Sequence, residues 1–99
     1  MLNIEKKTGE KSLEIALEGR LDTTTAPQLE EVVKNELDGK ETLVYDLAKL
    51  EYISSAGLRV LLSSQKKMSS QGTMTVKNVS EEVNEIFDVT GFSDILNIE

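Results

Sequence analysis

The chain has 99 residues, 38% of them apolar, and a formal net charge of −7. That length allows one ordinary domain with its own core, expected to span residues 1–99, and the lack of Cys and His removes thiolate nucleophiles, imidazole bases and the usual zinc or haem ligands. The acidic balance, with eleven scattered Lys and Arg, argues against direct nucleic-acid binding.

No stretch approaches the roughly 20 apolar residues that cross a bilayer. Glu5 and Lys6 interrupt the N-terminal region before an apolar signal segment can form. A soluble cytoplasmic protein with no membrane partner is expected. Much of the acidity belongs to solvated helix faces such as Glu30, Glu31, Glu81 and Glu82, and it names no partner.

Leu2 and Ile4, then Leu13, Ile15 and Leu17, alternate with polar residues around a turn at Thr8 and Gly9, which predicts two paired strands. Thr25 with Gln28 three residues on resembles a capping box, and Pro27 is tolerated in a first turn, so a helix is expected from about Ala26. Leu29, Val32, Val33 and Leu37 give it one apolar face, and Gly39 is expected to end it. The run TLVYDL over 42–47 reads as a central strand covered on both faces. A second helix is predicted from Ser55 to about Ser70, closed by Gln71 and Gly72. Met74 and Val76 mark another strand. Ser80 caps a third helix carrying Val83, Ile86 and Phe87 and stopping at Gly91, and a last short strand is expected at Ile95, Leu96 and Ile98. The order β-β-α-β-α-β-α-β predicts an α/β fold, with a mixed central sheet of four to five strands and helices packed against it. Leu58, Leu61, Leu62, Val44, Phe87 and Ile86 are assigned to its core. No internal repeat or linker divides the chain.

The most informative stretch is DLAKLEYISSAGLRVLL over 46–62, where a strand gives way to a small-residue helix start. Unpaired N–H groups and partial positive charge at a helix N-terminus stabilise an anion there. A phosphoserine at Ser55 would suit this position. The plainer alternative is that Ser54 or Ser55 simply caps the helix. Arg59, one turn beyond Ser55, can reach the same exposed edge, or else is a solvated charge opposite the apolar face.

Two motifs, GRLD at 19–22 and YISSAGLRVLL at 52–62, carry a resemblance to STAS domains of the anti-sigma factor antagonist family. The resemblance covers essentially the whole chain. It implies a binding protein, not an enzyme, with no cofactor of its own. The unphosphorylated protein would bind an anti-sigma factor that is also a serine kinase, releasing the sigma factor for transcription. Phosphorylation by that kinase with its own ATP would break the complex, and a phosphatase would restore it. The family's phosphorylated serine falls on Ser55. Its predecessor, often Asp in the family, is Ser54 here, which leaves Ser54 as a second candidate. The partner surface implied by the match comprises Asp22, Thr23, Thr24, Ser54, Ser55, Ala56, Gly57 and Arg59. For Asp22, the bare residue pattern is equally consistent with an ordinary turn.

A STAS-type scaffold or ligand-sensing module that is never phosphorylated is the alternative. An enzyme using Ser55 as nucleophile with Lys66 or Lys67 as base is disfavoured, since those lysines lie roughly 16 Å along the helix. Asp22 and Asp46 alone are a weak magnesium signal, and no metal is expected.

Overall fold

Alternating apolar residues make strands with one dry face, and that pattern organises the whole chain. The computed structural model describes residues 1–99. Leu2–Thr8 (β1) and Ser12–Leu21 (β2) form an antiparallel hairpin with Ile4 opposite Leu17 and Lys6 opposite Ile15. Ala26–Glu36 (α1) crosses to Thr42–Ile53 (β3), which pairs parallel with β2. Ser55–Ser69 (α2) crosses to Thr73–Lys77 (β4), parallel to β3. Glu81–Thr90 (α3) and a short 3-10 turn at Phe92–Asp94 complete the chain. The four strands lie in the order β1-β2-β3-β4, a mixed sheet as expected.

The sheet is covered on one face only, which corrects the expectation for 42–47. Leu43, Tyr45 and Leu47 are fully buried, but Val44 and Asp46 between them are only half-buried on the open face. Val44 therefore does not belong to the core; Ile86 is half-buried against its margin, and Leu62 is half-buried outside it. β3 also runs on to Ile53, twelve residues in all. Its strict alternation breaks where the pairing with β2 shifts register between Ala16 and Glu18 and again between Gly19 and Arg20. These irregularities carry Leu50 and Ile53 back to the dry face. On that face the buried apolar residues of the strands and of all three helices, together with Leu37 and Leu96, form one cluster of 23.

Two more expectations change. The tail at 95–99 forms no strand; a single bridge from Val76 to Ile98 remains, in which Val76 N–H donates to Asn97 O at 2.9 Å and Glu99 N–H to Val76 O at 2.9 Å. Those bonds still protect the outer edge of β4. Thr25 occupies the N-cap of α1, but its side chain caps nothing. At α3 the reading holds: Ser80 Oγ accepts from Val83 N–H at 3.2 Å, and Gly91 closes the helix at φ 81°.

One polar pair lies inside the apolar layer. The Tyr45 hydroxyl meets Ser64 Oγ at 2.8 Å, and Ser64 in turn donates to Val60 O at 2.9 Å, so one hydroxyl of α2 satisfies a phenol of β3. Burial pushes the Tyr45 phenol well above its ordinary value and keeps it protonated. The two members are not equivalent. Tyr45→Phe leaves Ser64 bonded to Val60 and should cost about 1 kcal/mol, whereas Ser64→Ala strands a buried phenol and should cost about 1–3 kcal/mol. Urea unfolding midpoints of the two variants should show this order.

Candidate functional site

The C-terminal ends of β2 and β3 are where the two sequence motifs meet. Leu21 lies beside Ile53 in the parallel register, and Ser54 N–H extends the ladder by donating to Leu21 O at 2.8 Å. GRLD and YISSAGLRVLL, some thirty residues apart in sequence, thus leave the sheet side by side. Open parallel sheets place their functional groups at this end of the strands.

The paired serines have different jobs. Ser54 keeps an extended backbone, its Oγ accepts from Gly57 N–H at 3.5 Å, and its carbonyl accepts from Leu58 N–H at 2.9 Å, so Ser54 is the N-cap. Ser55 is the first residue of α2, exposed, and its hydroxyl makes no hydrogen bond within the protein. Ala56 is half-buried and Gly57 buried. A Cβ at Gly57 would stand 2.7 Å from Leu21 Cγ and 2.9 Å from Ile53 Cγ1, so only glycine lets the helix start sit on the strand ends. Arg59 is exposed and forms no ion pair.

The neighbouring loop is ordered by its own side chains. Asp22 Oδ1 accepts from Thr24 N–H at 3.0 Å, Thr24 Oγ1 at 2.8 Å and Thr25 N–H at 3.1 Å. The Thr24 hydroxyl and these backbone donors, opposed by partial burial, hold the Asp22 carboxyl below its ordinary value. Asp22 therefore does the work expected of Thr25. Thr25 turns inward instead, donating to Arg20 O at 2.8 Å and accepting from Asp22 N–H at 2.8 Å. Thr23 and Thr24 remain exposed.

Asp22, Thr23, Thr24, Ser54, Ser55, Ala56, Gly57 and Arg59 thus share one end of the molecule. Asp46 does not join them. It sits within β3, where Asn78 Nδ2 donates to its Oδ1 at 3.1 Å and Ala48 N–H at 3.0 Å. No three acidic side chains gather to hold a metal. Lys67 lies at the far end of α2, paired with Asp38. Sequence reading missed Arg20 and Tyr52. The Arg20 guanidinium lies 4.4 Å from the centre of the Tyr52 ring, with its Nε 4.0 Å from Asp22 Oδ2. Their juxtaposition depends on the second register shift between β2 and β3, which local sequence does not reveal.

Comparisons with known proteins agree with this architecture. The STAS domain family matches residues 3–99. An anti-sigma-B factor antagonist of Staphylococcus epidermidis is 32% identical over 99 residues, covering 98% of this chain and 92% of the relative. An anti-sigma factor antagonist from Mycobacterium paratuberculosis superposes with a TM-score of 0.88 at 21% identity, over 99% of this chain and 85% of that one. The anti-sigma factor antagonist SpoIIAA superposes in its unphosphorylated form with a TM-score of 0.85 at 17% identity, over 98% and 88% of the two chains. The phosphorylated form of SpoIIAA from Bacillus gives 0.76 at 16% identity, over 98% and 91%.

Two measurements test the geometry. In an NMR titration Asp22 should titrate below 3.8, its ordinary value. The order it lends Thr24 should be present above that pH and lost as pH falls through the folded value. Gly57→Ala should destabilise the domain by about 1–3 kcal/mol through overpacking against Leu21 and Ile53, read from its unfolding midpoint.

Proposed function

Since this chain belongs to the STAS domain family, we propose that it is an anti-sigma factor antagonist whose binding is switched by phosphorylation of Ser55. In this reading it is a regulatory binding protein and a substrate, not an enzyme. Unphosphorylated, it engages a cytoplasmic anti-sigma factor that is also a serine kinase, and the sigma factor is freed. The kinase spends ATP on the Ser55 hydroxyl, the complex parts, and a phosphatase resets it.

The observation that carries the proposal is the division of labour between the serines. With Ser54 Oγ on Gly57 N–H, the Ser55 hydroxyl is exposed and committed to no internal bond. A hydroxyl that must enter a kinase cannot also be a buried structural acceptor. Once formed, the phosphate would sit over first-turn N–H groups that no backbone carbonyl can satisfy, in the favourable field of the helix end. The fold would tolerate the new charge. A partner seated on Asp22, Thr23, Thr24 and Arg59 would feel about two additional negative charges and three new acceptor oxygens at the centre of its contact.

The test is phosphorylation with the cognate anti-sigma kinase, read by intact mass. The native chain should gain one phosphate, Ser55→Ala none, and Ser54→Ala one, with about 1 kcal/mol lost from the helix cap. By calorimetry Ser55→Ala should bind the kinase as the native protein does, and Ser55→Asp more weakly. Modification of Ser55→Ala to the native extent would move the site elsewhere. A stable complex indifferent to ATP would instead favour an unphosphorylated scaffold.

A further inference from the structure

The chain contains two arginines against nine lysines. Both arginines lie at the Ser55 end: Arg59 one turn into α2, and Arg20 two residues before the Asp22 loop. Arg20 makes contacts that neither the helix cap nor the core requires. Its guanidinium stacks 4.4 Å from the centre of the Tyr52 ring, its cross-strand neighbour in the register. Its Nε faces Asp22 Oδ2 at 4.0 Å.

The two carboxylate oxygens of Asp22 are used differently. Oδ1 is saturated by Thr24 and Thr25. Oδ2 accepts no hydrogen bond within the protein and faces Arg20 Nε at 4.0 Å. The inner side of the loop is pinned by the buried Thr25, but the outer side, where Thr23 and Thr24 face solvent, hangs on the orientation of this one carboxylate. The bonds to Oδ1 orient the carboxylate from the loop side, Arg20 braces it from the Oδ2 side, and Tyr52 backs Arg20. Two residues after Tyr52 the strand becomes Ser54 and Ser55. Tyr52, Arg20, Asp22 and Thr24 thus form a connected line from the phosphoacceptor segment to the exposed loop.

We infer that Arg20 is a positioning residue for the partner-binding surface: stacked on Tyr52, it holds the Asp22 loop in a fixed relation to Ser55. The inference deepens the proposed switch and rests on it for its kinase readout. Its energetic form separates it from a simple stabilising contact. Exposed ion pairs and exposed cation–π stacks add little to folding. The same contacts matter to binding when they spare a partner the ordering of a loop.

The experiment compares the full chain with Arg20→Ala, Tyr52→Leu and the double variant. In the free proteins, 15N relaxation should show lower order at Thr23 and Thr24 in each single variant, with melting temperatures close to native. In the kinase assay each single variant should raise KM for Ser55 about fivefold while kcat stays within about twofold, the scale of one such contact. The double variant should be no worse than the singles, because the two residues act as one unit. Unchanged loop order in Arg20→Ala, tighter binding, or additive effects would overturn the inference. If the native chain is not phosphorylated at all while loop order still falls in both variants, the proposed switch fails and the positioning role of Arg20 stands.

Discussion

The contact of Gly57 with Leu21 and Ile53 is the constraint on which the site depends. These side chains close the dry face at the ends of β2 and β3, and the helix start lies directly on them, with Gly57 placed where any Cβ would stand only 2.7–2.9 Å from carbons of Leu21 and Ile53. One residue beyond Leu21 is Asp22, and one residue beyond Ile53 is Ser54. A single close approach in the core therefore fixes the separation of the loop from the helix N-terminus. The core contact fixes the strand ends from which the loop and the helix leave, and the Arg20 side chain on Tyr52 acts only on the outer loop, so Thr23, Ser55 and Arg59 are left free to meet a partner.

The same geometry reconciles capping with regulation. A lone serine at the cap would have its hydroxyl drawn toward a first-turn N–H, and modifying it would remove the cap. Here Ser54 supplies the cap at 3.5 Å and leaves its neighbour uncommitted. An acid at the cap position would do the same job with a formal charge. With serine there, the end of α2 carries one negative charge fewer beside the loop, and the ionised Asp22 becomes the nearby anion on that surface. Its carboxyl is held low chiefly by its hydrogen bonds from Thr24 and Thr25, with Arg20 4.0 Å from its other oxygen.

Much of this was legible in the sequence, and the failures have specific physical causes. Helix α3 follows its local signals because Ser80 and Gly91 act on their own backbone within a few residues. Helix α1 starts where expected but for another reason: Asp22 accepts from the Thr24 and Thr25 amides through its carboxylate and from the Ala26 amide through its carbonyl, while the Thr25 hydroxyl turns toward Arg20 O. TLVYDL looks covered on both faces because Val44 is apolar; only the tertiary placement of all helices on one side leaves it half-buried. β3 outruns its apolar core because register shifts at its midpoint break the alternation that marks a strand. The tail lacks the ladder of a fifth strand, since only Val76 supplies a partner to it. For the site, the motifs identified the segments, while the assignment of Ser54 and Ser55 to separate roles required backbone angles. Arg20 and Tyr52 share no local pattern, and only pairing across strands brings them together.

The open face of the sheet then explains why the functional chemistry collects at the strand ends. It is studded with charges of both signs, among them Lys77 3.7 Å from Glu14, and Asn78 and Ala48 hold the Asp46 carboxylate. Such a face is solvated, and covering it would mean desolvating those charges with little apolar area to repay the loss. The end bearing Asp22 and Ser55 is different, with an uncommitted hydroxyl, two exposed threonines and an unpaired arginine above a rigid floor. Because screening confines exposed charges to about 8–10 Å at ordinary salt, a phosphate at Ser55 would act on this end and leave the far end of α2 unaffected. The proposed switch would need no conformational change to be transmitted, because the surface that would bind and the atom that would be modified lie at the same end of the molecule.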